Sequence, residues 1–411
     1  MVRQFHDGMQ AHVLDDGNQS SPFNVTNGVK QRCVLAPTFF SMMFTAMLAT
    51  AFSESDPGID IRYLTDGGVF NLQSLKANTK VHFKRLRDLL FADDCALNAL
   101  TEADMQQSLN RFSDACDSFG LTISTKKTEV MFQPAPNSPY IKPNISIKSQ
   151  RLNPVEKFTY LGSTLSRNVH IEDEVNSRKA KVSSAFGRLN KTVWNRRGIK
   201  SVTKLNVYRA VVLTALLYAS ETWTVYQRHT KKLNHFHTVC LRKIQGITWQ
   251  DKIPDTEVLS RANMYGINTI LRSSQLRWTG QVCRMDGTRI PKQLFYGELV
   301  NGSRSRGCQK KRFKDSLKVS TKLFGIEPDS LEKLAQNRSA WRSSLKVGAK
   351  KHEQHRVCLA EHKRAKRKER EASDAPPTGP SLPKCGRAFH TRIGLIGHLR
   401  THNTNHRNTN S

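Results

Sequence analysis

The sequence predicts an α+β chain: a short antiparallel sheet with packed helices over residues 1–168, a mainly helical region over 169–345, and a largely disordered basic tail. Three observations carry this. Short apolar runs broken by turn residues give way to one strong helical stripe and then to a second set of short runs. From about residue 170, apolar residues recur at spacings of three and four. After residue 345 the chain becomes densely basic and then rich in proline.

The elements follow in order. Ala11–Leu14 and Phe23–Val25 flank the turn-forming group Asp15-Asp16-Gly17-Asn18, which predicts a hairpin over residues 10–27. Residues 33–53 carry no charge over a length that could cross a bilayer. Pro37 and the interspersed Ser and Thr favour a buried core helix starting after Pro37 instead. Residues 58–86 are ambiguous, with an Asp-Gly-Gly turn at 66–68. Leu89–Ala99 read as two apolar runs split by Asp93 and Asp94. Thr101 is an N-cap for a helix whose stripe is Met105, Leu109, Phe112, Cys116 and Phe119, with Gly120 as its stop. Leu121 with Ile123, and Val130 with Phe132, alternate as strands do.

Two stripes mark the helical region: Val175, Val182, Phe186 and Leu189, then Leu205, Tyr208, Val212, Leu216 and Trp223. Lys179, Lys181, Arg188, Lys191, Arg196 and Arg197 lie among them with Trp194. Basic residues mixed with an aromatic suit a nucleic-acid surface, and a solvated helix face is the plainer alternative. Residues 346–371 hold ten Lys and Arg against four acidic residues. They suit an exposed helix, a nuclear-localisation patch or a phosphate-binding arm. Residues 346–380 are thus a basic helix with a Pro-rich linker, and 381–411 form a separate small unit.

Composition narrows the partners. The 411 residues include 65 Lys and Arg against 34 Asp and Glu, a net charge of +31. Such a chain repels itself unless an anion screens it, and nucleic acid releases counterions when its phosphates are neutralised. Eight cysteines lie scattered with no CxxC spacing, which argues against a disulfide framework and for a reducing compartment. No signal-peptide pattern opens the chain, so a nuclear or cytoplasmic rather than secreted location is expected.

Phe91-Ala92-Asp93-Asp94 is the segment with chemistry. Adjacent carboxylates at a hairpin tip can hold divalent metal ions for phosphoryl transfer. Alone this signal is weak. In order, however, stand GVKQRCVLAPTFFSMMFTAML, LLFADDCALNA, GLTISTKKTEVM and FTYLGSTLS, followed by ALLYASETWTV and LRWTGQVCRMD. This series resembles the successive palm motifs of non-LTR (LINE-type) retrotransposon reverse transcriptases, over roughly residues 1–345.

The resemblance implies a partial palm over 1–168, a thumb or connection over 169–345, and an RNA template with an RNA/DNA duplex as partner. It implies magnesium on Asp93 and Asp94, and Lys127 as a general acid for the departing pyrophosphate. Gln31 and Arg32 would lie against template and nucleotide, and Tyr160, Leu161 and Gly162 would grip the primer. Two departures stand out. The family's first palm aspartate lies on a strand upstream of the HDGM segment, here residues 6–9, so the chain is expected to be truncated there and its sheet to keep an unpaired edge. Asp15 and Asp16 belong to a turn and are not expected to replace that aspartate. Arg32 stands where the family has glycine, at a close approach of backbone to nucleotide. The expectation is a nucleic-acid-binding fragment of an RNA-directed DNA polymerase that does not polymerise as this chain; a non-catalytic remnant, or a host protein that has adopted the fragment, is the alternative.

In the last unit, Cys385, His398 and His402 show the Cys-x12-His-x3-His spacing of a two-Cys, two-His zinc finger, with Phe389 and Leu395 as its small core. The first cysteine's place is taken by Leu382. Zinc on three ligands, a degenerate finger, or recruitment of His390 or His406 all remain open.

Overall fold

The computed structural model describes residues 7–25, 34–53, 57–301 and 310–372, apart from 67, 72, 78, 136 and 137, together with 380, 382, 385, 386, 388, 389 and 391–405. Gln31, Arg32, the first half of the Pro-rich linker and the possible ligands His390 and His406 lie outside these residues.

The first hairpin forms in two stages. Strands β1 (Gln10–Ala11) and β4 (Phe23–Asn24) pair on the outside, and β2 (Leu14–Asp15) and β3 (Asn18–Gln19) pair within. Asp16 and Gly17 both take positive φ at the tip, the conformation that a two-residue hairpin turn requires. Asp15 and Asp16 are therefore turn and strand residues of this ribbon.

Helix α1 (Ala36–Ala51) starts with Pro37 in its first turn, where a missing N–H costs nothing. Burial is one-sided. Phe44, Met47 and Ala51 pack against α2 (Glu102–Ser118), while Met42 is 65% exposed. The uncharged stretch is thus half surface rather than a buried helix, because the core it meets covers a single face. No helix among the described residues is long and apolar enough to cross a membrane.

Between these helices lie two hairpins. Strands β5 (Ile59–Tyr63) and β6 (His82–Leu86) pair in register Ile61↔Lys84, and β7 (Asp88–Phe91) and β8 (Asp94–Leu97) pair in register Phe91↔Asp94. Among the described residues β7 and β8 pair only with each other. Thr101 caps α2, its Oγ1 accepting the Asp104 N–H at 3.1 Å. Gly120 ends the helix at φ +69°. The Leu121 N–H then donates to Cys116 O at 2.7 Å. That wrap consumes the donor a strand would need, so Leu121 and Ile123 pack on α1 and α2 from a loop instead. Further on, β9 (Glu129–Val130) pairs in parallel with β12 (Asn153–Pro154), and β10 (Ser146–Ile147) pairs with β11 (Gln150–Arg151). The strand expected at Phe132 does not form. Strands β13 (Lys157–Tyr160) and β14 (Ser163–Ser166) close this part of the chain.

The helical region holds the largest core. Helix α3 (Ile171–Arg188) contributes Val175, Val182 and Phe186. A rod follows, with α4 (Ser201–Val207), wider turns at Tyr208–Leu213 and α5 (Thr214–Leu216). It buries Leu205, Tyr208, Val212 and Leu216. Both predicted stripes face this core, together with α6 (Gln227–Gln245) and α7 (Asp255–Arg261). Trp194 lies in it as well, 4.9 Å from the Phe186 ring and donating its indole N–H to Phe186 O at 2.8 Å. It is core, and no base can stack on it, whereas Lys181, Arg188, Lys191, Arg196 and Arg197 are exposed.

A second core gathers around α8 (Ile267–Cys283), with α9 (Ile290–Tyr296), α10 (Phe313–Leu323), α11 (Leu331–Gln336) and the start of α12 (Arg338–Ala372). Gly280 lets Trp341 lie against α8; a Cβ there would stand 2.1 Å from the indole nitrogen. Residues 57–86 join this core: β15 (Glu298–Leu299) pairs with β5, Val69 belongs to the same buried cluster, and its N–H donates to Glu332 at 2.7 Å. A polar clamp docks α12. Glu353 accepts from the Gly266 N–H at 3.0 Å, from Thr269 Oγ1 at 2.6 Å and from Arg356 at 2.6 Å. The helix runs unbroken through position 346, with Ala349 and His352 still buried. In the final unit a last helix, α13, spans Arg392–Asn405.

Candidate nucleic-acid site

The apolar runs around Phe91–Asp94 fold as the tight hairpin that their pattern implies. Ala92 takes φ +50° and Asp93 shares the tip with it, while Asp94 opens β8 opposite Phe91. Both carboxylates are exposed, and neither makes an ion pair among the described residues. Asp88, at the far end of β7, is held by Arg87 at 2.6 Å. The hairpin thus presents two unneutralised acids at its tip and a compensated one at its base. Burial, with the acidic neighbours adding to it, pushes the Cys95 thiol up to about 12, so it is no nucleophile.

The 157–166 hairpin sits beside it. Its turn residues Leu161 and Gly162 both have positive φ, at +48° and +78°, and Tyr160 pairs with Ser163. The Tyr160 hydroxyl donates to Leu89 O on β7 at 2.9 Å. Burial, and then the nearby Asp94 carboxylate, raise the hydroxyl's pKa. The resemblance-derived motifs at 93–94 and 160–162 are therefore brought together in space. Lys127 lies exposed in the turn at 125–127, and no hydrogen bond or ion pair joins it to either aspartate among the described residues.

Residues that sequence reasoning missed hold this arrangement. Glu174, 2% exposed, accepts the Thr164 N–H at 2.7 Å and pairs with Arg178 Nε at 2.7 Å. Arg178 also donates to Gly162 O at 2.6 Å and lies over the Tyr218 ring, whose hydroxyl donates to Leu161 O at 3.1 Å. The turn is thereby bolted to α3. The i, i+4 spacing of Glu174 and Arg178 was the available signal, but it does not reveal the backbone that they grip. Between the two hairpins and the second core runs a groove of about 1680 Å³, lined by Leu90, Phe91, Phe132, Tyr160, Trp278 and Phe313 among others.

Asp93 and Asp94 offer hard oxygen donors suited to magnesium. Among the described residues no group of three His, Cys, Asp or Glu side chains is assembled for a metal. In the last unit Cys385 Sγ and His398 Nε2 lie 3.5 Å apart, and the Phe389 ring lies 5.1 Å from that of His398, tilted by 43°. The side chain of His402 lies outside the described residues. Leu382 is buried where the first cysteine of a finger would stand, and its carbonyl accepts the Gly386 N–H at 2.9 Å.

Residues 2–165 match the family described as reverse transcriptase (RNA-dependent DNA polymerase). This part of the chain is a reverse transcriptase domain, and its kin are the LINE-type, non-LTR retrotransposon polymerases. A transposon-derived protein of Caenorhabditis elegans is 23% identical over 275 residues, 64% of this chain and 96% of the relative. The RNA-directed DNA polymerase from mobile element jockey of Drosophila funebris is 23% identical over 62% of this chain. That of Drosophila melanogaster is 22% identical over the same share. The chain spans about a quarter of the length of these two jockey polymerases, 26% of each.

Proposed function

We propose that the chain binds an RNA/DNA primer–template across the groove beside the Asp93–Asp94 hairpin, and that the site formed by the described residues holds this duplex without extending the primer. The observation that carries the reading is the Tyr160 hydroxyl on Leu89 O, which couples the 157–166 hairpin to the carboxylate hairpin at 2.9 Å. A net charge of +31 supplies the attraction for phosphates.

Asp93 and Asp94 would hold magnesium, whose chemistry when bound is to neutralise charge on a transferring phosphoryl group. The chain's own contribution is positional. The tip keeps both carboxylates solvent-facing and free of lysine or arginine among the described residues, and the Glu174–Arg178 pair fixes the neighbouring turn. Among the described residues no third ligand joins these two carboxylates, and Arg32 stands in sequence where the family has glycine. Primer extension on an RNA template with magnesium and deoxynucleotides should therefore give no product above background. Template-dependent extension that Asp93→Ala abolishes would overturn the non-extending part of this reading.

A further inference from the structure

A second surface, remote in sequence from both hairpins, has the makings of a single-strand site. Trp249 is 84% exposed, the most exposed large aromatic among the described residues. Its loop is nonetheless tightly held. The Asp251 carboxylate accepts from the Thr248 N–H at 2.6 Å and from Thr248 Oγ1 at 2.9 Å. Arg242 Nη2 donates to Ile253 O at 2.7 Å and pairs with Asp255 at 2.8 Å. The loop thus spans two anchored ends, and the indole is left in water although neighbouring apolar residues reach the core. A large aromatic kept in solvent on a fixed loop forgoes the burial that would stabilise the fold, and this marks it as a contact for something else.

The surroundings say what. The projecting half of α12 passes beside the loop, with Arg364 Nη2 directed at Lys252 O, 3.4 Å away. One turn further on the same helix face come Arg367 and Lys368. Lys252 itself is exposed, and Arg261 lies near Asp251, lowering its pKa after the stronger effect of Thr248. The acids in the vicinity are Asp251, already taken by Thr248, Asp255, paired with Arg242 at 2.8 Å, Glu257, paired with Arg261 at 2.9 Å, and Glu361 and Glu369 on α12. Cations therefore outnumber free carboxylates on this face.

We infer that the Trp249 loop and the Arg364–Lys368 segment of α12 form a second nucleic-acid site, which takes single-stranded RNA or DNA by stacking a base on Trp249 and pairing its phosphates with the helix. A stacking platform flanked by cations favours single strands, because a duplex hides its base faces. The inference goes beyond the primer–template reading and does not depend on it.

The test is fluorescence anisotropy of the full chain with a labelled single-stranded oligonucleotide, as RNA and as DNA, and with the corresponding duplex. Trp249→Ala should weaken single-strand binding by about tenfold and duplex binding far less, with Trp249→Phe retaining most of it. Arg364→Ala with Arg367→Ala and Lys368→Ala should flatten the salt dependence of single-strand binding. The Asp93→Asn, Asp94→Asn chain should show the same losses on each change, which separates this site from the groove. Equal single-strand affinity in Trp249→Ala would overturn the proposal. So would binding of the patch to anionic phosphatidylserine vesicles with no Trp249-dependent binding of either oligonucleotide.

Discussion

Tyr208 and His237 meet at the centre of the helical core, hydroxyl to Nδ1 at 2.7 Å, and both are fully buried. Burial lowers the His237 pKa from 6.5 to about 4. The folded chain therefore holds a neutral imidazole that the unfolded chain would protonate below about 6.5. Stability from this group is complete above that pH and is lost as pH falls towards 4. His229 and His352 are shifted the same way, again chiefly by burial. Urea unfolding at pH 7.5 and pH 5 should differ by roughly 2 kcal/mol from His237 alone. In His237→Gln that dependence should shrink, and an unchanged slope would refute the assignment. Single residues were legible where their place is local: the position of Asp93 and Asp94 at a hairpin tip from the runs flanking them, and Thr101 as a cap from its position before a stripe. Trp194 was misread as a surface aromatic, because sequence spacing does not tell a side chain that enters a core from one that leaves it.

Whole elements divide along the same line. The predicted stripes on α2, α3 and the 201–216 rod all face cores, since a 3.6-residue period is a property of the segment itself. The hairpins at 10–24 and 88–97 were visible because turn residues between short apolar runs are equally local signals. The half-exposure of α1 and the loop at 121–123 were not, because each depends on which neighbour arrives to cover it. The same holds for the pairing of β15 with β5, residues more than two hundred apart. The Glu174–Arg178 pair is the sharpest case, holding a turn that lies before it in sequence. Arg178→Ala should destabilise the chain by about 3–5 kcal/mol, because Glu174 would remain buried with no counter-charge. Arg178→Met with Glu174→Leu should recover much of that loss. Thermal unfolding of the two variants tests this, and equal melting temperatures for Arg178→Ala and the parent would contradict it.

Across the whole molecule, charge is the property that needs no coordinates to read. The structure adds its distribution: exposed cations on α3 and α12, and a compensated interior where each buried acid has a partner, as Glu174 and Glu353 do. The architecture gathers the family's hairpins on one side of a groove and a helical core on the other. The most direct test is binding of a labelled RNA/DNA primer–template, followed by anisotropy over a salt series with and without magnesium. The affinity should fall by about a hundredfold or more between 50 and 200 mM salt, as several released counterions require. Magnesium should strengthen binding in the parent chain and not in Asp93→Asn with Asp94→Asn. Binding that ignores salt, or a magnesium effect that survives loss of both carboxylates, would contradict the assignment of this groove to a primer–template.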